Sequence, residues 1–167
     1  MKNNNWDNYK YPKSFSYDSL IKENKKEYLF DIYSVIHFIQ NSKFWRIPTS
    51  NDLDKLFMSA DPNSKSGRET IELAKNLRGT NGWINNGTNK IGFNAYPNPT
   101  RDSDGLREHD ISRWWYHDKN SNNLNGFSIY SDDIVAFSGP FEENIGLAIR
   151  LVLDLTNHRL EGSIIYV

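Results

Sequence analysis

The sequence predicts an α+β fold, two helices packed against a small twisted antiparallel sheet with long loops. Three observations lead there. Apolar residues recur at helical spacing early in the chain, short aromatic runs between Asn, Gly and Asp turns fill the later part, and aromatic residues make up 14% of the composition, enough for one core.

Residues 1–17 are polar and aromatic without a period and read as an N-terminal arm. Residues 18–60 read as the two-helix front end. Leu20, Ile21, Tyr28, Leu29, Ile32, Tyr33, Ile36 and Ile39 follow a helical period, and 22–40 lacks Pro and Gly, which predicts a first helix with one broad apolar face. Asn41 and Ser42 end it. Pro48 biases Ile47 away from helical angles, so Phe44 to Ile47 are expected to be extended. Thr49 or Ser50 caps a second helix, Asp52 suits its N-terminal dipole, and Leu53, Leu56 and Phe57 form its inner stripe. "FWRIPTSNDLDKLF" is thus a helix-to-helix corner.

Residues 61–167 read as the loop-rich antiparallel sheet region of the same single domain. "DPNSKSG" is a loop, and "ETIELAKNL" after it has two readings, a weak helix or a short extended crossover. Beyond Gly79, runs such as "RWWYH" and "FSIYSDD" are short strands between turn residues. Residues 146–155, "GLAIRLVLDL", are expected to be the most apolar strand, with "GSIIYV" as a last one. The core is expected to close around Trp45, Trp83 and Trp115.

A chain of 167 residues buries roughly two-thirds of its unfolded surface, which suits one domain. Twenty basic and 21 acidic side chains leave a formal net charge of −1, so no long-range field draws in nucleic acid or an anionic membrane. Lys22, Lys25 and Lys26 are interrupted by Glu23 and Glu27, a solvated face. No run reaches the ~20 apolar residues of a membrane span. Met1-Lys2 is followed by three Asn, without the apolar stretch of a signal peptide, which leaves a cytoplasmic protein or a secreted one whose leader was replaced. The absence of Cys forbids disulfides, zinc-thiolate sites and thiol catalysis.

Four segments, "FWRIPTSNDLDKLF", "LRGTNGWINNGTNKIGFNAYPN", "RWWYHDKNSNN" and "GLAIRLVLD", resemble in that order the W-R-L-P-T, L-K-S-x-x-G-W…N-G-x-x-x-x-G-F-x-A-x-P, F-W-S-S-T and G-x-S-V-R-L-V-x-D signatures of the Fibrobacter succinogenes major paralogous domain. The match spans about 44–154. The resemblance implies a C-type lectin-like fold whose long loops display a variable surface, on bacterial secreted or surface proteins. The chain departs from the pattern in lacking the Cys before W-R-L-P-T, in carrying Tyr116 and His117 where the family has Ser and Thr, and in extending past Asp154.

Candidate chemistry is sparse. Formylglycine-generating and sulfoxide-synthase enzymes share an R-L-P-T helix start, but the first needs a cysteine pair, and His37, His109, His117 and His158 supply no i, i+3 or i+4 pair for the iron site of the second. Calcium needs several converging oxygens; Asp102 and Asp104, Asp132 and Asp133, and Asn85, Asn86 and Asn89 are the candidates, with solvated turns as the plainer reading. Glu108-His109-Asp110 lacks a framed nucleophile and reads as polar surface. Arg46 and Arg150 sit in apolar surroundings and are expected to pair internally with Asp52, Asp54 or Asp154. In a strand, Trp115 inward would leave Trp114 and Tyr116 outward or in a groove.

These readings combine into a non-enzymatic binding or display module that recognises a glycan or protein through the loops between 81 and 145. The expected ligand-binding residues are Trp83, Asn86, Asn89, Tyr96, Asn98, Asp102, Asp104, Trp114 and Tyr116. No catalytic residue is expected and no cofactor, with calcium the one ion left open; a secreted or surface location follows from the resemblance alone. The alternatives are an assembly protein pairing through its terminal segments, and a carboxylate- or metal-dependent enzyme.

Overall fold

Short local signals start each element of the fold. The computed structural model describes residues 14–16, 28–64, 70–98, 100–102, 105–107, 110–121, 123–139, 141 and 145–154. Strands β1 (Ser14–Ser16) and β2 (Tyr28–Phe30) precede helix α1 (Ile32–Asn41), whose N-cap Asp31 accepts the Ser34 N–H at 2.7 Å. Strand β3 (Trp45–Arg46) leads through Pro48 into α2 (Ser50–Ala60), and α3 (Ile71–Leu77) starts where the Thr70 hydroxyl accepts the Leu73 N–H. Strands β4 (Thr100–Asp102), β5 (Gly105–Arg107), β6 (Ile111–Asp118), β7 (Asn123–Tyr130), β8 (Val135–Ser138), β9 (Leu147–Ala148) and β10 (Val152–Leu153) follow.

Six strands form one sheet in the order β1-β2-β9-β6-β7-β8. β6 and β9 run parallel at Trp114 and Ala148, and the other neighbours are antiparallel. β3 pairs with β10 and β4 with β5 as separate two-stranded ribbons.

Helices cover both faces of this sheet. On one, Leu53 and Phe57 of α2 and Leu73, Ala74 and Leu77 of α3 join Trp114, Tyr116, Phe127 and Ile129. On the other, Val35 of α1 joins Ile47, Trp115 and Leu147, with Phe141 and Ile145 packed against them. Fully burying a large apolar side chain contributes about 1.5–3 kcal/mol, so the strand bearing Trp114, Trp115 and Tyr116 is the energetic centre of the molecule.

The expected fold class is corrected on this evidence of topology. Three helices accompany a six-stranded mixed sheet, in place of a C-type lectin-like arrangement of two helices on a small antiparallel sheet. Two segments account for the difference. Tyr28–Phe30, read as helix, is a strand, because Leu29 and Phe30 pair with β9, all three residues pair with β1, and Asp31 starts the helix only afterwards. Residues 146–155, read as one strand, divide at 149–151, so that β9 enters the main sheet beside β6 and β10 leaves to pair with β3. The first helix is correspondingly shorter than 22–40, and "ETIELAKNL" contributes helix α3.

The core does not close around Trp45, Trp83 and Trp115. Trp45 is 47% exposed on the β3–β10 ribbon, while Trp83 and Trp115 belong to clusters on opposite faces of the sheet. The "GSIIYV" strand lies outside the described residues, as does most of the arm at 1–17, of which Ser14–Ser16 is β1.

Candidate functional site: the loop over the end of α3

A helix leaves its last four carbonyls without helical partners. In α3 these are met by the loop at 79–95. Thr88 N donates to the Lys75 carbonyl at 2.8 Å, Lys90 N to Asn76 at 3.0 Å, Ala95 N to Leu77 at 3.0 Å and Asn89 N to Arg78 at 2.9 Å. Gly79 N donates to the Ala95 carbonyl and Gly87 N to that of Gly79, both at 2.8 Å, closing the loop on itself. The buried Asn76 side chain joins in, accepting from the Thr88 hydroxyl and donating to the Ala60 carbonyl at 2.8 Å, which ties the loop to α2. Asn89 holds a left-handed φ of 47°, and its Oδ1 accepts the Asn94 N–H at 2.7 Å.

Beneath the loop lies Arg78, 1% exposed. Its guanidinium donates to the carbonyls of Tyr130 and Ser131 and pairs with Asp133, joining α3 to the β7–β8 turn, and sits 5.7 Å from the Trp83 ring centroid. Asn85 Nδ2 reaches the Ser131 carbonyl from above at 3.0 Å. The sequence reading missed Arg78; its only local signal is an Arg placed between the helix end and Gly79.

The predicted site residues divide sharply. Trp83 is buried, its indole donating to the Ala95 carbonyl at 2.7 Å, and Asn86 is exposed with Oδ1 accepting the Trp83 N–H at 3.1 Å. These two and Asn89 share the loop. Tyr96 is half-buried, and its carbonyl accepts from the Ser112 hydroxyl. Asn98 is buried between strands, its Oδ1 accepting the Arg113 N–H at 3.0 Å. Trp114 and Tyr116 are not outward aromatics. With helices over both faces, every side chain of Trp114-Trp115-Tyr116 is internal: Trp114 stacks on Phe127 with centroids 5.1 Å apart, and Trp115 meets Phe141 edge-on at 5.6 Å on the other face. Asp102 lies on β4 with its side chain undescribed, and Asp104 lies outside the described residues.

Arg46 pairs with Asp52 as expected and approaches Asp154 at 3.8 Å. Arg150 is held by carbonyls and a ring. It donates to the carbonyls of Phe93 and Asn94 and lies 4.4 Å from the Phe93 ring centroid, anchoring the far end of the loop to Trp114. On the opposite face of the sheet Arg113 donates to the hydroxyls of Ser128, Thr100 and Tyr130.

Among the described residues, the carboxylates with displaced titration lie below the usual range. The Arg46 hydrogen bond holds down Asp52, the Thr70 hydroxyl Asp61 and the Ser121 hydroxyl Asp118. Burial raises the Tyr116 phenol. Among the described residues no three His, Asp or Glu gather in a group suited to a metal ion, and Asp133 is engaged by Arg78. No helix among the described residues is long and apolar enough to cross a membrane.

What the loop presents outward is Ile84, 72% exposed, flanked by the exposed amides of Asn81, Asn85 and Asn86. Comparison with protein-family models, with curated proteins and with solved structures returns no match for this chain.

Proposed function

We propose that the chain is a non-enzymatic recognition module that docks a protein surface through the loop at 80–92. The observation that carries this reading is the exposure of Ile84 on a loop whose far limb, at Thr88, Asn89, Lys90 and Ala95, is hydrogen-bonded to the end of α3 and whose Asn85 reaches the Ser131 carbonyl. A preorganised apolar contact loses little conformational entropy on association, and the amides around it supply adaptable hydrogen bonding. A protein partner is favoured over a glycan because Trp83, Trp114 and Tyr116, three of the four aromatics among the expected ligand-binding residues, are committed to the interior and offer no face to a sugar ring. A secreted or surface-displayed setting belongs to the same proposal and rests on the motif resemblance.

A photoreactive amino acid placed at position 84 tests the reading. The expected result is a protein adduct formed in the native extracellular milieu, competed by the unlabelled chain and not by its Ile84→Asp variant, which keeps the parental Tm. Equal competition by Ile84→Asp, or glycan-array binding that survives it, overturns the reading.

A second reading, assembly between copies, is favoured by Trp45 and Leu153. They are cross-strand partners on the β3–β10 ribbon and are 47% and 40% exposed. A sizing column separates the two readings: a dimer that Trp45→Ala dissociates supports assembly, and a monomer at all concentrations removes it.

A further inference from the structure

Three Asn-Gly dipeptides occur in the chain, Asn81-Gly82, Asn86-Gly87 and Asn125-Gly126. This dipeptide carries its own reactivity. The glycine nitrogen, unhindered by a neighbouring Cβ, attacks the Asn side-chain carbonyl carbon. A carbon–nitrogen bond forms, the carboxamide nitrogen leaves as ammonia, and a five-membered succinimide results. One water then opens that ring at either carbonyl to give Asp or isoaspartate. No oxidant, reductant or enzyme is required. The attacking nitrogen must surrender its proton, so an N–H already donating to a carbonyl, or a backbone fixed in a ladder, is protected.

The fold sorts the three. Gly87 N donates to the Gly79 carbonyl at 2.8 Å, and Asn86 Oδ1 is taken by the Trp83 N–H. The Gly87 backbone is also walled in, because a Cβ there would stand 2.4 Å from the Arg78 carbonyl oxygen and 2.5 Å from that of Lys75. Asn125 and Gly126 are interior positions of β7, opposite Tyr116 and Trp115 of β6, with Gly126 also opposite Ser138 of β8. Asn81-Gly82 has neither protection. Both residues are exposed, Gly82 has a φ of +87°, and among the described residues neither the Gly82 N–H nor the Asn81 carboxamide has a hydrogen-bond partner.

We infer that Asn81 is a spontaneous deamidation site, converting to Asp and isoaspartate ahead of the other two Asn-Gly pairs. The product adds one negative charge to a chain of formal net charge −1. The isoaspartyl form also inserts a methylene into the backbone between Gly79, bonded to Ala95, and Trp83, whose indole is bonded to the same Ala95 carbonyl. The inference is independent of what the loop binds.

Incubation of the full chain in mildly alkaline buffer, followed by peptide mapping with mass spectrometry, tests it. A gain of about 1 Da is expected at Asn81 about tenfold faster than at Asn86 or Asn125, the protection that a retained amide hydrogen bond provides. Asn81→Gln removes the fast phase and Asn86→Gln leaves it. In denaturant the three rates converge. Equal rates in the native chain, a fast phase that survives Asn81→Gln, or the same ranking in denaturant would overturn the inference.

Discussion

Arg46 and Asp52 form a two-pronged ion pair at the corner between β3 and α2, Nη1 to Oδ2 at 2.5 Å and Nη2 to Oδ1 at 3.0 Å. The same carboxylate accepts from the Thr49 N–H at 2.8 Å and from its hydroxyl at 2.6 Å, so one side chain both pins the incoming strand and caps the helix. Its titration lies well below that of an unfolded Asp, so its contribution is fully present above about pH 4 and is lost as pH falls through the lower folded-state value. Asp52→Asn should therefore cost about 1–2 kcal/mol at neutral pH and almost nothing in strong acid. Urea midpoints across a pH series measure this, and an unchanged cost in acid would refute it.

Arg78 is the buried charge on which α3, the loop and the β7–β8 turn converge. Its Nε is buried without a partner among the described residues, while both terminal nitrogens are engaged. Arg78→Lys keeps the charge but loses the fork, and Arg78→Met strands Asp133 and two carbonyls. Losses of about 3–5 kcal/mol are expected for Arg78→Met, with Arg78→Lys intermediate. Denaturant unfolding ranks the two.

Two loop glycines separate steric from conformational cost. A Cβ at Gly87 would meet backbone oxygens of α3, which cannot yield without opening the cap. At Gly92 nothing lies within 4 Å, and only the φ of +77° resists a side chain. Gly92→Ala should cost about 1 kcal/mol, and Gly87→Ala more than about 2 kcal/mol. Thermal unfolding of the two variants distinguishes them; equal shifts would show that the loop is not clamped to the helix.

Burial also ranks the tryptophans. Trp114→Ala empties the space between Phe93, Phe127 and Arg150 and should cost about 3–5 kcal/mol. Trp45→Ala, on an exposed ribbon, should cost less than about 1 kcal/mol. Chemical denaturation of the monomeric chain checks both.

The features legible in the sequence are those written within a few residues of one another. The corner at 44–57 was readable because Pro48 sets the angle of Ile47 and Asp52 reaches three residues back to Thr49. Capping by Thr70 is equally local, yet the sequence leaves "ETIELAKNL" open between helix and extended crossover. Trp114-Trp115-Tyr116 misled for a definite reason: strand alternation says which side chains face opposite ways, not whether both sides are covered, and α1 covers one face while α2 and α3 cover the other. For Arg150 the apolar neighbourhood called for partners without naming the Phe93 and Asn94 carbonyls or the Phe93 ring.

By itself the sequence determined the start of α2, the extended corner before it, the turn-rich character of 79–95 and the rich supply of aromatic side chains, the first three through chemistry acting across three or four residues. Only the tertiary structure decided the parallel join of β9 to β6, the two-sided burial of the tryptophan strand, and the clamping of the loop by α3 and Arg78. Those depend on groups as distant as Arg78 and Tyr130, 52 residues apart. Local propensity carries no information about which distant segment will satisfy a buried polar group, and that satisfaction is what leaves Ile84 facing outward.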